Sequence, residues 1–320
     1  MTFRNALKHG ISQLRAAHIP SDTLAAELLL LHATERERTF LYSRPEAELT
    51  SKEIGIYQEL LDRRISGVPL QHLTGKQEFW GLSLEVTPDV LIPRPETEHL
   101  VEVALDRLAL REVRAGRPNK NDGASLLIAD IGTGSGCIAI ALAKELPQAQ
   151  FVALDISPAA LAVAHRNATK HSVSDRIHLL ESNLFSGFSG SPLACPGGTR
   201  GATRLPRVHS LRGCSLLVFD LIVSNPPYIG LREASSLATE VRDHEPELAL
   251  YGGEEGYEFY ADLITQSGEQ LGPGGLIILE LGHNSLPAVE PLFDTPLWTN
   301  VSVSNDLAGI PRVIAAERTR

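Results

Sequence analysis

Asn225-Pro226-Pro227-Tyr228 stands directly after an apolar run, Leu216 to Ser224, that predicts a buried strand. A polar amide, two rigid prolines and an aromatic therefore sit at a strand's C-terminal end. In an open α/β sheet that edge is where ligands bind. A residue before proline is pushed into extended backbone, which governs how Asn225 leaves the strand. Pro226 and Pro227 carry no N–H, yet their carbonyls remain acceptors. A planar NH2 group entering this turn can donate one hydrogen to the Asn225 side-chain oxygen and the other to the Pro226 carbonyl, with Tyr228 packed on its face. An amide nitrogen is a poor nucleophile because its lone pair is delocalised. Two acceptors outside the amide plane favour the tetrahedral nitrogen of a transition state over the flat ground state. No strong base is required, since the proton leaves readily once the nitrogen is alkylated. The tetrad points to alkylation of an amide or amine nitrogen; the plain alternative is a rigid turn that caps a strand.

A second cluster lies upstream. Asp130-Ile131-Gly132-Thr133-Gly134-Ser135-Gly136 follows a short apolar segment and precedes a helical one. Its glycines let backbone N–H groups and a helix N-terminus approach a ligand without Cβ clashes. Asp155 ends the next predicted strand, 19 residues after Gly136, where a carboxylate can accept from both hydroxyls of a ribose. Asn183 follows the third strand, where its amide can meet an adenine edge. A dinucleotide fingerprint G-x-G-x-x-G would require glycine at position 137, which is Cys137. The spacing here is G-x-G-x-G; a tight turn without ligand is the alternative.

These residues need a scaffold. The chain has 320 residues, which favours two domains. With 43% hydrophobic and 21% charged residues, its composition is that of an ordinary soluble globular protein. No apolar run reaches the ~18 residues of a membrane span, and the N-terminus lacks a signal-peptide apolar core, so a cytoplasmic location is expected. The three cysteines, Cys137, Cys195 and Cys214, have no C-x-x-C spacing, and His72, His244 and His283 are scattered. No disulfide framework and no metal site are expected. A net charge of −10 opposes general duplex-DNA binding.

Residues 1–75 read as a helical bundle. Phe3, Leu7, Ile11 and Leu14 recur at helical spacing, Ser21 is placed to cap a helix through Ala33, and Thr50 with Glu53 fits a capping box. Residues 76–95 read as a linker with short extended segments around Gly81, and a helix begins near Thr97. Glu96 and Glu98 suit its first turn, and Arg94 is placed to pair with a carboxylate or a cofactor. From Leu126 strands and helices alternate. Strands are predicted at Leu126–Asp130, Phe151–Asp155, Ile177–Glu181, Leu216–Ser224 and Leu276–Leu281, with a terminal pair at Val301–Val303 and Val313–Ala316. Helices are predicted at Cys137–Leu146, Pro158–Lys170, Tyr257–Leu271 and Asn284–Phe293. Such alternation means a doubly wound, mostly parallel α/β sheet over residues 96–320. Residues 186–214 break the rhythm as a flexible basic insertion containing Arg200, Arg204, Arg207 and Arg212.

The glycine loop preceded by Asp130 resembles that of class I S-adenosylmethionine-dependent methyltransferases, whose sheet has seven strands. Asn-Pro-Pro-Tyr after such a core resembles the amino-methyltransferases of adenine N6, cytosine N4 and glutamine N5. Three further stretches narrow the resemblance: Gly67–Gly75 leading into Glu78-Phe79-Trp80, then Leu91–Glu98, then Glu245-Pro246 with Leu248–Gly253. With the helical N-terminus they resemble the HemK/PrmC-type peptide chain release factor glutamine N5-methyltransferases. The resemblance implies methylation of the glutamine in the Gly-Gly-Gln loop of class 1 release factors, with S-adenosylmethionine as cofactor. It implies cofactor binding by Gly132, Thr133, Gly134, Ser135, Gly136, Asp155, Asn183 and Asn225. It assigns the target amide to Asn225, Pro226, Pro227 and Tyr228, places Phe79 and Pro93–Glu98 near the mouth of the site, and gives the N-terminal bundle a grip on the release factor. Neither a DNA substrate nor a membrane is expected. The chain departs from the family at Asn183, where aspartate is common, and in its long insertion. A nucleic-acid amino-methyltransferase, a nonenzymatic cofactor-binding regulator and a nicotinamide oxidoreductase are the competing readings.

Overall fold

The computed structural model describes residues 1–114, 126–186, 208–211 and 214–320. Nearly all of the expected loop from Arg114 to Ser125, and Arg200, Arg204, Arg207 and Arg212 of the insertion, lie outside the described residues. The chain divides into two units. One comprises Met1–Lys76, Val86–Pro88 and Leu237–Glu245; the other comprises Gln77–Glu85, Asp89–Ser236 and Pro246–Arg320.

The first unit is built on helices α1 (Phe3–Ala16), α2 (Asp22–Thr34), α3 (Arg38–Ser43), α4 (Ser51–Ile65) and α5 (Leu70–Thr74). Phe3 and Leu14 are buried, and Leu7 and Ile11 pack against the same cluster, as their helical spacing requires. The capping box forms: the Thr50 hydroxyl accepts from the Glu53 N–H, and the Glu53 carboxylate accepts from the Thr50 N–H. Ser21 differs from expectation. It precedes α2 in a left-handed conformation (φ 55°) and makes no side-chain cap bond. The extended backbone that aims a capping hydroxyl at the first turn is missing there.

The second unit carries a seven-stranded sheet. Its strands are β1 (Leu127–Ile131), β2 (Gln150–Asp155), β3 (Ile177–Glu181), β4 (Phe219–Ser224), β5 (Leu271–Glu280), β6 (Trp298–Asn305) and β7 (Pro311–Arg318). Their order is β6-β7-β5-β4-β1-β2-β3. Neighbours from β5 to β3 are parallel, and β7 is antiparallel to both β5 and β6. Both faces are buried, so residues alternate between two cores. Ile128, Phe151, Leu221 and Ile278 pack with helices α6 (Pro95–Arg114) and α7 (Cys137–Glu145). Leu127, Val152, Ile222 and Ile277 pack with the helix Glu258–Gln270. Helix α8 (Pro158–Lys170) begins with its proline at the first turn and the Ser157 hydroxyl accepting from the Ala160 N–H.

Three elements differ from the sequence-based expectation. The run Leu216–Ser224 is not one strand: Cys214–Leu217 pairs antiparallel with Val208–Leu211, and the main sheet takes the chain from Phe219. Apolarity cannot say which ladder satisfies each backbone group. Strand β5 starts early, pairing Leu271 with Phe219 before its register shifts and resumes at Leu276. Between Asn284 and Phe293 there are only two short turns, Leu286–Val289 and Glu290–Phe293. Pro291 has no N–H to continue the ladder begun at Pro287.

Residues 76–85 are more than a connection. Lys76–Phe79 and Leu82–Glu85 form a two-stranded ladder around Trp80 and Gly81, both with positive φ. Phe79 and Leu84 are fully buried in the core of the sheet unit.

Candidate active site

The ladder register brings the sequence-selected residues to one edge. Ile131 pairs with Ser224 on one side and Leu154 on the other, and Asp155 pairs with Glu181. The segments beginning at Gly132, Asn225, Ile156 and Ser182 therefore leave the carboxyl edge side by side. The Ser224 hydroxyl locks the first two exits together by donating to the Ile131 carbonyl at 2.7 Å.

The glycine loop is tied down from beneath. Gly132 and Thr133 donate their N–H groups to the Leu154 carbonyl at 2.8 and 2.9 Å, Gly134 donates to an Asp155 carboxylate oxygen at 2.8 Å, and Gly136 donates to the Thr133 carbonyl at 2.8 Å. Asn167 on α8, fully buried, donates to the Ser135 and Glu85 carbonyls at 2.9 Å each. These contacts correct one expectation: the loop N–H groups are mostly engaged inside the protein. What the loop supplies is space, because a Cβ built on Gly132 or Gly134 would meet no described residue within 4 Å. Both residues have the left-handed backbone that glycine tolerates best.

Two carboxyls flank this space. Asp155 accepts the Gly134 N–H on one oxygen and the Ser157 N–H, at 2.9 Å, on the other, so each oxygen keeps a further acceptor site. Burial pushes its pKa up, while those N–H groups pull it down. Asp130 is fully buried below the loop; its Oδ2 accepts from the Thr133 hydroxyl at 2.7 Å and the Ala139 N–H at 3.2 Å, and its Oδ1 has no partner among the described residues. Burial raises its pKa to about 7 against those two bonds. Asn183 is exposed in the turn after β3, with its amide unengaged among the described residues. Cys137 opens α7 as a partly buried packing residue whose thiol is pushed up to about 12, chiefly by burial.

The tetrad stands across from the loop. Asn225 donates its Nδ2 to the Thr97 hydroxyl oxygen at 3.0 Å, and its Oδ1 is buried without a partner among the described residues. Pro226 is buried, and no described residue donates to its carbonyl. The Tyr228 ring lies on Gly282, where a Cβ would come within 2.7 Å of Cδ2. Its hydroxyl reaches Glu280 Oε1 at 3.4 Å, and burial raises the phenol pKa. Beyond the tetrad, Ile229–Gly230 pairs in parallel with Tyr251–Gly253. Gly252 permits this, since a Cβ there would sit 2.3 Å from the Pro227 carbonyl oxygen.

Sequence reasoning missed Glu280, Asn167 and the contact that Thr97 makes. Glu280 ends β5, is 1% exposed and has its pKa raised to about 7, by burial first, with Thr97 and Tyr228 hydrogen bonds and Arg312 opposing. A lone acid closing the apolar run Leu276–Leu279 was the available signal. Phe79 requires correction. It is 0% exposed, facing the core from its ladder, and offers no surface to a substrate. A cavity of about 300 Å³ lined by Arg107, Arg111, Pro273, Glu317 and Arg320 lies beside the start of β5, away from these groups.

A seven-stranded sheet with a reversed β7, a glycine loop after β1 and an acid closing β2 defines a class I methyltransferase. Residues 5–75 match the family description "PrmC N-terminal domain", and residues 119–192 match "Methyltransferase small domain". The chain is 40% identical over 318 residues to the release factor glutamine methyltransferase of Koribacter versatilis (strain Ellin345), covering 99% of each. It is 39% identical over 319 residues to that of Moorella thermoacetica, covering 99% of each, and 36% identical over 313 residues to that of Escherichia coli (strain K12), covering 98% of each. The chain belongs to the release factor glutamine methyltransferase family.

Proposed function

We propose that this chain transfers a methyl group from S-adenosylmethionine to the side-chain nitrogen, N5, of the glutamine in the Gly-Gly-Gln loop of class 1 peptide chain release factors. The observation that carries the reading is the buried Oδ1 of Asn225, without a partner among the described residues, at the strand edge beside the glycine loop. A buried acceptor without a donor costs roughly 1–3 kcal/mol. A substrate amide N–H entering the turn removes that cost, and its second N–H finds the Pro226 carbonyl.

The residues present suit the cofactor. The open space over Gly132 and Gly134 admits its backbone, the spare acceptor sites of Asp155 suit ribose hydroxyls, and Asn183 can meet the adenine. When bound, the cofactor supplies an electrophilic methyl on a sulfonium. Asn225 and Pro226 hold the target nitrogen with two acceptors and draw its lone pair out of conjugation. Tyr228, backed by Gly282, supports the flat group. The two acceptors suit the pyramidal nitrogen better than the planar one, so they act on the barrier as well as on binding. The helical unit helps grip the release factor. A substrate of the translation machinery places the reaction in the cytoplasm; among the described residues no helix is long and apolar enough to cross a membrane.

The test is incubation with labelled S-adenosylmethionine and, separately, a release factor, DNA and RNA. Mass spectrometry should place the methyl on the Gly-Gly-Gln glutamine. Label found only in nucleic acid refutes the reading.

A further inference from the structure

An aromatic ring can be seated by side chains, which turn aside, or by backbone, which does not. The Tyr228 ring is seated on backbone. A Cβ built on Gly282 would sit 2.7 Å from its Cδ2, 2.9 Å from Cγ and 3.0 Å from Cβ, whereas carbon atoms in contact stay about 3.5–4.0 Å apart. Gly282 lies outside the left-handed region, so the ring and not the backbone angle keeps a side chain out. At its far end the ring is held by its hydroxyl, which donates to Glu280 Oε1 at 3.4 Å. Both contacts come from the carboxyl end of β5, and that end is fixed. The Glu280 carbonyl accepts from the Tyr260 hydroxyl at 2.7 Å, and the N–H of fully buried Leu281 donates to the Arg312 carbonyl at 2.7 Å. The Gly282 carbonyl accepts from the Ser285 N–H at 3.2 Å and from the Ser285 hydroxyl at 3.0 Å. The main chain of the tetrad is hemmed in as well, since Cβ atoms on Gly252 and Gly256 would strike the Pro227 and Tyr228 carbonyl oxygens. Under pressure from position 282, the part that yields is therefore the ring, turning about its own side-chain bonds.

We propose that Gly282 is a positioning residue: its bare backbone seats the Tyr228 ring and thereby fixes one wall of the slot that receives the substrate amide. This inference rests on the glutamine methyltransferase reading and adds what sets that wall. Gly282 does not touch the reacting atoms. A methyl group added there moves the ring by about 1 Å. A misplacement of that size in a group that orients a reactant costs up to roughly 100-fold in rate. The loss falls on transfer, because the cofactor contacts proposed above belong to the glycine loop and the end of β2.

Gly282→Ala is compared with the wild type and with Gly268→Ala. Gly268 is a buried glycine in the helix Glu258–Gln270, where a Cβ would meet the end of the Leu297 side chain at 2.5 Å, so it controls for crowding as such. Steady-state transfer to a release factor, cofactor binding by calorimetry and thermal unfolding are measured for each. Gly282→Ala should lower kcat roughly 10- to 100-fold with cofactor affinity unchanged. Gly268→Ala should leave kcat unchanged. Wild-type kcat in Gly282→Ala overturns the proposal. So does a cofactor affinity that falls as far as kcat, or an equal loss in Gly268→Ala, because the cause would then be the cofactor site or crowding in general. Should Gly282→Ala fail to fold, Gly282→Ala combined with Tyr228→Ala must fold, since the ring that the methyl strikes is gone; a double variant that also fails overturns the proposal. A wild-type protein that transfers nothing to release factor glutamine refutes the functional reading and this inference with it, whereas an active wild type beside an equally active Gly282→Ala refutes the inference alone.

Discussion

Glu27 in the helical unit and Glu280 in the sheet unit are both buried, at 4% and 1% exposure, and their surroundings differ in kind. Glu27 has both oxygens occupied: Oε1 by the Arg38 guanidinium and Oε2 by the Tyr42 hydroxyl at 2.8 Å. Glu280 has Tyr228 at 3.4 Å from Oε1 and, among the described residues, no partner on Oε2. Asn225 Oδ1 and Asp130 Oδ1, at the same sheet edge, are also buried and have no partner among the described residues. A fold selected for stability alone would pair such atoms, as α2 and α3 do for Glu27. Unpaired acceptors gathered at one sheet edge indicate a surface that waits for donors from elsewhere. The contrast is one of local clustering, since among the described residues the helical unit also holds an isolated orphan in Arg64 Nε.

The largest effect expected from this contrast is at Asn225. Asn225→Ala should reduce methyl transfer roughly 100- to 1,000-fold, the cost of deleting one preorganised partner of a transition state. Cofactor affinity, read by calorimetry, should stay within about threefold, on the view that the lost acceptor acts on the barrier. Near-normal turnover would mean that the unpaired oxygen serves nothing, and the comparison would fail.

The buried acids should also leave a mark on stability. Glu280 has its pKa raised from 4.5 to about 7 and Asp130 from 3.8 to about 7. Between those values the folded protein holds protons that the unfolded chain has released, so stability falls as pH rises toward 7. For Glu280 alone the loss is on the order of 3 kcal/mol across that window. Urea unfolding at pH 5 and pH 7.5 should show the wild type weaker at the higher pH, and Glu280→Gln should remove about half of the difference. An unchanged slope in Glu280→Gln would place the unpaired carboxyl elsewhere.

Glu27 sharpens the contrast from the other side. Its partner Arg38 has a side chain 65% exposed, so solvent screens the pair. Glu27→Gln retains an acceptor and a donor and should cost about 1 kcal/mol in urea unfolding, with methyl transfer unaltered. A loss several times larger would show that the pair behaves as a fully desolvated one.

Much of this was readable along the chain because the signals are local. The G-x-G-x-G loop, Asp155 after its strand, Pro158 opening a helix and Asn225 ahead of two prolines each depend on backbone conformation over a few residues. Ser21 misled because residue type favours capping while backbone angle decides it. Phe79 misled for another reason: the family resemblance placed it near the mouth of the site, yet its place in a two-residue-turn ladder points it inward. The insertion hid where the fourth strand begins, since Cys214–Leu217 and Phe219–Ser224 are apolar alike but join different ladders.

The sequence by itself determined the class of sheet and the residues at its carboxyl edge, because strand periodicity, glycine and proline act within a few bonds. Only the tertiary structure decided which way Asn225 points. Thr97 lies 128 residues before it, and Glu280 lies 52 residues after Tyr228. Hydrogen-bond direction depends on which donors and acceptors packing brings within about 3 Å, and no spacing along a chain encodes that.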